Sequence, residues 1–364
     1  MSRPFREARI SRDAIAQNVE LMRRLAPAPH VMAVVKADGY GHGAITAARA
    51  ALEAGADMLG VADLDEAFEL RAAGIDAPLL AWIHPTGADL AAAAEAGVTV
   101  GINSIDQLRR AVAAAHRGAI HVKVDTGLSR NGVARDEWAP FVDELAAAVG
   151  SGAVRLSGVF SHLSNTSPDE DRAQIAAFDE FVDAVRAANL EPGLRHLAAS
   201  AGALDHPSAR YDMVRLGMSI YGLPPEDHHR DLPLVPAMEL SAEVVNVKRV
   251  PAASGVSYGY RYRTTSPTTL ALVPLGYADG IPRHTEGASV LIGDQRMPVV
   301  GRVAMDQFVV DAGDHPVAVG DRAILFGDPR ATGAPSALDW ADAAGTIGYE
   351  IVTRLGRRVT RTRA

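Results

Sequence analysis

One feature constrains the fold of this chain more than any other. From the N-terminus to about residue 222, short branched-apolar runs alternate with longer Ala-rich amphipathic stretches, the pattern of strand–helix units repeated around a parallel sheet. The runs are His30–Val35, Met58–Ala62, Pro78–Ile83, Val98–Ile102, Ile120–Val124, Leu156–Ser161, Leu194–Ala198 and Met213–Gly217. Between them the helical segments are Ile45–Ala54, Leu64–Ala72, Leu90–Ala96, Ile105–His116, Trp138–Val149 and Arg172–Ala188, with Asp63, Ser104 and Asp136 placed as caps. Eight strands with intervening helices is the count of an α/β fold of the (β/α)8 TIM-type barrel class. A doubly wound open sheet usually has fewer strands and calls for a Gly-rich dinucleotide fingerprint after the first; none is present.

The texture changes after Gly222. Leu223–Asp231 is polar, carries two prolines and shows no helical period, so it reads as a linker. Beyond it lie short branched-apolar segments at Val244–Val250, Thr269–Pro274, Ala288–Ile292, Met297–Val300, Phe308–Ala312 and Ala323–Phe326, one amphipathic piece at Ala337–Ala344, and a basic end bearing Arg354, Arg357, Arg358, Arg361 and Arg363. The expected organisation is a barrel over residues 1–230 and a mostly-β C-terminal domain over residues 231–364, the basic end serving as a solvated or interface surface.

Composition narrows the partners. The net charge is −8 and no basic run interrupts it, which argues against nucleic acid and anionic membranes and for a small molecule. With no Cys, a disulfide framework, a thiolate metal site and a cysteine nucleophile are all excluded, and no metal ligands are assigned. No apolar run approaches the roughly 18 residues that span a bilayer, and the first residues lack a signal-peptide core; a cytoplasmic protein is expected.

In such a barrel the working groups sit at the C-terminal ends of strands. Those positions hold Lys36, Lys123 followed by Asp125–Arg130, His162, His196 leading to Ser200, and Arg215. Lys36 follows Ala33-Val34-Val35, neighbours that disfavour an ammonium, and a desolvated lysine suits Schiff-base chemistry. The Gly-rich stretch after it, with Tyr40, reads either as an ordinary turn or as the lip of a carbonyl-cofactor pocket. Ser200-Ala201-Gly202 and Leu216-Gly217-Met218-Ser219 offer backbone N–H groups and hydroxyls where barrels bind phosphate. A lysine with a barrel phosphate site suggests pyridoxal 5′-phosphate. Arg215 fits, because a guanidinium can only donate to a ring nitrogen; a structural ion pair is its competing reading.

Several segments match one family in order: Val34–Gly43, Lys123-Val124-Asp125-Thr126-Gly127 with Arg130, Met213–Gly217, Val256-Ser257-Tyr258-Gly259, Gly276–Gly280, Gly301–Gln307 and Gly348-Tyr349-Glu350. From end to end the chain resembles the bacterial alanine racemases, fold-type III pyridoxal-phosphate enzymes. It departs at Asp38-Gly39, where Asn-Ala is commoner, and at Ala199, where Asn is frequent.

The resemblance implies interconversion of L-alanine and D-alanine, for peptidoglycan, by a homodimer with shared active sites. Lys36 would carry the cofactor and act as one base, and Tyr258 from the other subunit as the second. Tyr40, Ser200, Gly217, Met218 and Tyr349 would hold the phosphate. Arg130, with the Met305 backbone N–H of the other chain, would hold the substrate carboxylate, and Tyr277 would line the way in. Lys123 matches a position often carbamylated, orienting Arg130. His162 and His196 would be hydrogen-bonded around Arg215 and Tyr258. The alternatives within the fold type are a serine racemase and a cycloserine-sequestering binding protein. A basic amino acid decarboxylase would want a Cys and an acidic group at the pyridine nitrogen, and neither is present.

Overall fold

A computed structural model describes residues 3–364; Met1 and Ser2, the start of the segment read as lacking a signal peptide, lie outside the described residues. The strands in chain order are β1 Arg6–Ile10, β2 His30–Val34, β3 Met58–Val61, β4 Leu79–Ala81, β5 Val98–Ile102, β6 Ala119–Lys123, β7 Arg155–Phe160, β8 Leu194–His196 and β9 Met213–Leu216, followed by β10 Met238–Glu243, β11 Asn246–Val250, β12 Gly255–Val256, β13 Tyr262–Arg263, β14 Thr268–Val273, β15 Ser289–Ile292, β16 Gln295–Val300, β17 Phe308–Gly313, β18 Arg322–Phe326 and β19 Thr360–Arg363.

The eight expected runs form one parallel sheet in the order β8-β7-β6-β5-β4-β3-β2-β9. Its two ends meet where Arg215 N donates to Ala198 O at 3.0 Å and Ala199 bridges Arg215, so the seam of the barrel lies at one of the candidate site residues. The helices between strands start where capping chemistry predicts: Asp63, Ser104 and Ser167 each accept from a backbone N–H three residues on, satisfying a donor the helix leaves free. Asp136 does not cap. It sits inside a 3-10 turn, Arg135–Glu137, that runs straight into the helix Trp138–Gly150.

Inside the barrel, Met32, Met58, Leu80, Phe160 and Met213 pack as a cluster separate from the larger core. His121 is also buried here. A Cβ at Gly158 would come within 2.7 Å of its ring, so the strand beside it needs glycine.

The second sheet has nine strands in the order β11-β14-β17-β16-β15-β18-β10-β1-β19. Three of them went unread in the sequence. β1 precedes the barrel in the chain yet pairs antiparallel with β10 and parallel with β19. Its Glu7 is buried and accepts from Arg322 at 2.7 Å and from Thr362 at 2.8 Å, a charged residue in a core position that hides the strand's alternation. The apolar run expected at Val244–Val250 is a strand only from Asn246. The basic end is not simply a solvated surface: Arg361 is partly buried and its guanidinium donates to the carbonyls of Gly41, Gly356, Val359 and Leu355. Among the described residues no helix is long and apolar enough to cross a membrane.

Candidate active site

At the C-terminal mouth of the barrel lies a pocket of about 310 Å³, within the ordinary range for small ligands. It is bordered by Lys36, Tyr40, Lys123, Arg130, His162, Ser200, Arg215, Gly217, Met218 and Tyr349, so the fold gathers these ten predicted residues at one place. His196 lies directly beneath.

Lys36 follows β2, and its Nζ stands 5.8 Å from the Trp82 ring. Burial first, then the charges of Arg130 and Arg215, hold its pKa below the usual lysine value, against the opposing pull of Glu66. The chain then makes a left-handed turn: Ala37, Asp38, Gly39 and Tyr40 have φ of 53, 52, 61 and 53°. For non-glycine residues this costs about 1–2 kcal/mol each. Glu66 offsets part of it by accepting from Ala37 N at 2.6 Å, and Asp38 by accepting from Ala44 N at 2.9 Å. Asp38 and Gly39, the departure from the commoner Asn-Ala, occupy two of these left-handed positions, which Asp and Gly tolerate.

Arg215 is fully enclosed. Its guanidinium donates to the carbonyls of Ser161 and His196 at 2.8 Å and of Leu197 at 2.9 Å, and to His162 Nδ1 at 3.1 Å and His196 Nδ1 at 3.2 Å. All five partners are neutral acceptors. The competing reading of a structural ion pair fails, since no carboxylate faces it among the described residues. Burial brings Arg215 down to about 10. Both histidines are held well below their ordinary pKa by burial, with the Arg215 charge adding to it, so each stays neutral and accepts. Because His196 Nδ1 accepts, its Nε2–H donates to His121 Nδ1, 2.9 Å away inside the barrel.

Lys123 ends β6, and burial plus the charges of Arg215 and Arg130 lower it to about 8. Tyr40 and Tyr349 stand 6.1 Å apart by ring centroids; burial raises both, Tyr349 to about 12, and they remain phenols able to donate. Gly217 N donates to Ser200 Oγ at 3.2 Å, so this amide, expected to be free, is occupied. A Cβ at Gly217 would lie 2.6 Å from Tyr40 Oη, so glycine is what permits that approach.

Tyr258, Tyr277 and Met305 lie elsewhere. They belong to the second domain, are 69, 42 and 54% exposed, and do not border the pocket. They are neighbours: Ser257 Oγ donates to Arg302 O at 2.7 Å, Tyr277 N to Ala304 O at 3.1 Å and Ala278 N to Met305 O at 3.0 Å, which ties all three to one outward-facing patch. The pocket also takes Trp82, Phe160, Asn165 and Glu226, which the sequence reading did not select. Trp82 lies next to the end of the run Pro78–Ile83, just beyond β4, so the strand-end rule could have found it. Glu226 lies in the linker, where nothing in the sequence marks it.

Family models agree with this geometry over nearly the whole chain: the alanine racemase N-terminal domain matches residues 10–225 and the alanine racemase C-terminal domain residues 237–363. The chain belongs to the alanine racemase family. It is 52% identical to an alanine racemase of Thermobifida fusca, covering 98% of this chain and 97% of that one, and 49% identical to one of Salinispora tropica, covering 96 and 95%. Its structure superposes on alanine racemase from D-cycloserine producing Streptomyces lavendulae with a TM-score of 0.96 at 42% identity, over 100% of this chain and 98% of that one. The alanine racemase of Streptomyces coelicolor A3(2) gives 0.95 at 41%, over 99 and 98%. The barrel and β-domain of this racemase family are thus both present, in family order.

Proposed function

We propose that the protein is an alanine racemase that binds pyridoxal 5′-phosphate in the barrel-mouth pocket and works as a homodimer, each pocket completed by Tyr258, Tyr277 and Met305 of a second copy. The observation that carries the reading is a half-buried lysine sharing one pocket with a buried arginine that has only neutral partners. The residues suit the cofactor. Lys36, Lys123, Arg130 and Arg215 border the pocket against a single carboxylate, Glu226, which favours an anionic ligand. Tyr40, Tyr349, Ser200, Gly217 and Met218 would hold its phosphate, and His162 and His196 support Arg215 from below.

Pyridoxal phosphate, when bound, supplies an electron-withdrawing ring that acidifies the α-proton of the attached amino acid. The chain's own groups do the rest. Lys36, its neutral form favoured by burial, takes or returns the proton on one face of Cα. One lysine cannot reach both faces, so Tyr258 serves the other. The exposure of Tyr258 on a patch turned away from its own pocket supports a site shared between two copies. Arg130 orients the substrate carboxylate. Arg215 would donate to the pyridine nitrogen and, holding its own protons at neutral pH, would leave that nitrogen unprotonated.

The reading extends to a cytoplasmic enzyme supplying D-alanine to peptidoglycan, and the absence of Cys fits a reducing compartment. Purified protein given pyridoxal phosphate and L-alanine should bring D-alanine to parity with L-alanine, measured by chiral chromatography. Turnover of L-serine without turnover of L-alanine would sink the assignment.

Lys123 is expected to be carbamylated. With its pKa near 8, a useful fraction is a free amine at neutral pH. That nitrogen attacks carbon dioxide, releases a proton to solvent and leaves an anion among Arg130 and Arg215, replacing repulsion by charge-assisted hydrogen bonds. Crystals grown under ambient carbon dioxide should show a carboxylate on Lys123 Nζ; density ending at Nζ would count against it. In carbon dioxide-free buffer the amine titrates near 8 folded and 10.5 unfolded, so the unfolded state binds more protons between those values. Stability should therefore rise with pH across that window, and Lys123→Met should flatten the rise.

A further inference from the structure

Three side chains distant in sequence converge outside the pocket. Asp205 ends the short helix Ser200–Asp205, and His228 and His229 lie on the one-turn segment Asp227–His229 of the linker. His229 Nε2 is 2.9 Å from Asp205 Oδ1, and His228 Nε2 is 3.2 Å from both carboxylate oxygens. The three donor atoms all fall within 4.8 Å of one another, and no other set of His, Asp or Glu among the described residues converges in this way.

We propose that Asp205, His228 and His229 form a divalent transition-metal site, of the zinc class, that clamps the linker to the barrel. A tetrahedral zinc ion with bonds of about 2.0–2.1 Å needs its ligand atoms about 3.3 Å apart. The two nitrogen–oxygen separations are already near that value, and the exposed His228 ring is free to adjust the third. Two imidazoles and one carboxylate select zinc, nickel or cobalt over magnesium or calcium, which want oxygen ligands.

Burial supplies the preorganisation. His229 is only 8% exposed, so burial sets its direction before an ion arrives. Its Nδ1 is buried and has no partner, so Asp205 is the ring's one hydrogen-bond partner among the described residues. Without an ion, both imidazole Nε2 atoms lie within hydrogen-bond distance of Asp205 Oδ1, at 2.9 and 3.2 Å. Asp205 and His228 face solvent, which leaves a route in and room for a water ligand.

The clamp has a consequence for the neighbouring pocket. The helix that ends at Asp205 begins at Ser200, and the linker that carries the histidines also carries Pro225 and Glu226; all three of these border the pocket. An ion would therefore tie together two segments of one wall. The consequence for cofactor exchange rests on the proposed cofactor, whereas metal binding itself does not.

Untagged full-length protein, stripped with chelator and titrated with zinc chloride against a chromogenic competitor, should bind one zinc per chain. His228→Gln, at an exposed position, should weaken that binding by about tenfold or more, and Asp205→Asn likewise. Equal zinc affinity in the wild type and His228→Gln would overturn the site. Zinc should also slow the loss of bound pyridoxal phosphate during dialysis several-fold in the wild type and not in His228→Gln; equal rates with and without zinc would overturn the clamp.

Discussion

Lys36→Ala and Tyr258→Ala should each lower alanine racemisation by about 10²–10⁴-fold, the usual contribution of a positioned acid–base group, with Lys36→Ala at the far end because on the proposed reading it would also remove the residue that carries the cofactor. A mixture of the two dead variants should recover activity. Lys36 borders the pocket while Tyr258 stands 69% exposed on another face of the same chain. A mixed dimer then carries one site with both defects and one with neither. Complete subunit exchange gives roughly a quarter of the wild-type specific activity, since half the dimers are mixed and each holds one intact site of two. Native mass spectrometry reports the exchange and chiral chromatography the turnover. Mixed dimers without recovered turnover would show that Tyr258 serves its own chain's pocket or none.

Arg215→Glu should slow racemisation on the order of 10²-fold or more, in the range of losing a preorganised electrostatic partner, and should make the remaining turnover less faithful. The guanidinium sits among five neutral acceptors, so its charge is uncompensated and it can only donate. With the proposed cofactor in place, that would leave the pyridine nitrogen unprotonated and the developing negative charge near Cα. A carboxylate there would favour a protonated ring and spread the charge, so that reprotonation away from Cα, followed by hydrolysis, would release pyruvate and leave the amino group on the cofactor. The share of turnovers yielding pyruvate should rise, read by lactate dehydrogenase. Arg215→Lys, which keeps the charge, should lose rate without gaining pyruvate. A Glu variant that binds cofactor normally yet yields no more pyruvate than the wild type would remove Arg215 from its place at the ring nitrogen.

The eight barrel strands were legible because each is a short apolar run closed by turn or capping residues, and the structure places every one within a few residues of its expected bounds. Lys36, Lys123, His162, His196 and Arg215 were legible by the same route, since a barrel puts strand ends at its mouth. The resemblance named the rest of the site in order along the chain. Where local signals were weak, the sequence was silent. β1 hides a buried Glu7 whose partners, Arg322 and Thr362, lie more than three hundred residues away. β19 looked like a basic tail because the carbonyls that Arg361 reaches are ones that only the fold brings near.

The amino-acid order thus determined the elements and the kinds of chemistry available, because periodicity and capping are local properties of the chain. Tertiary structure decided what depends on proximity. It buried Lys36 and Lys123 and set them beside Arg130 and Arg215, and so lowered both, burial acting most and the neighbouring charges adding to it. It surrounded Arg215 with neutral acceptors at the closing seam of the barrel, and placed Asp205 against His228 and His229. It also left Tyr258 exposed and outside the pocket that holds the lysine of its own chain. Burial, charge and hydrogen bonding act through space over a few ångströms, and no spacing along the sequence encodes those distances.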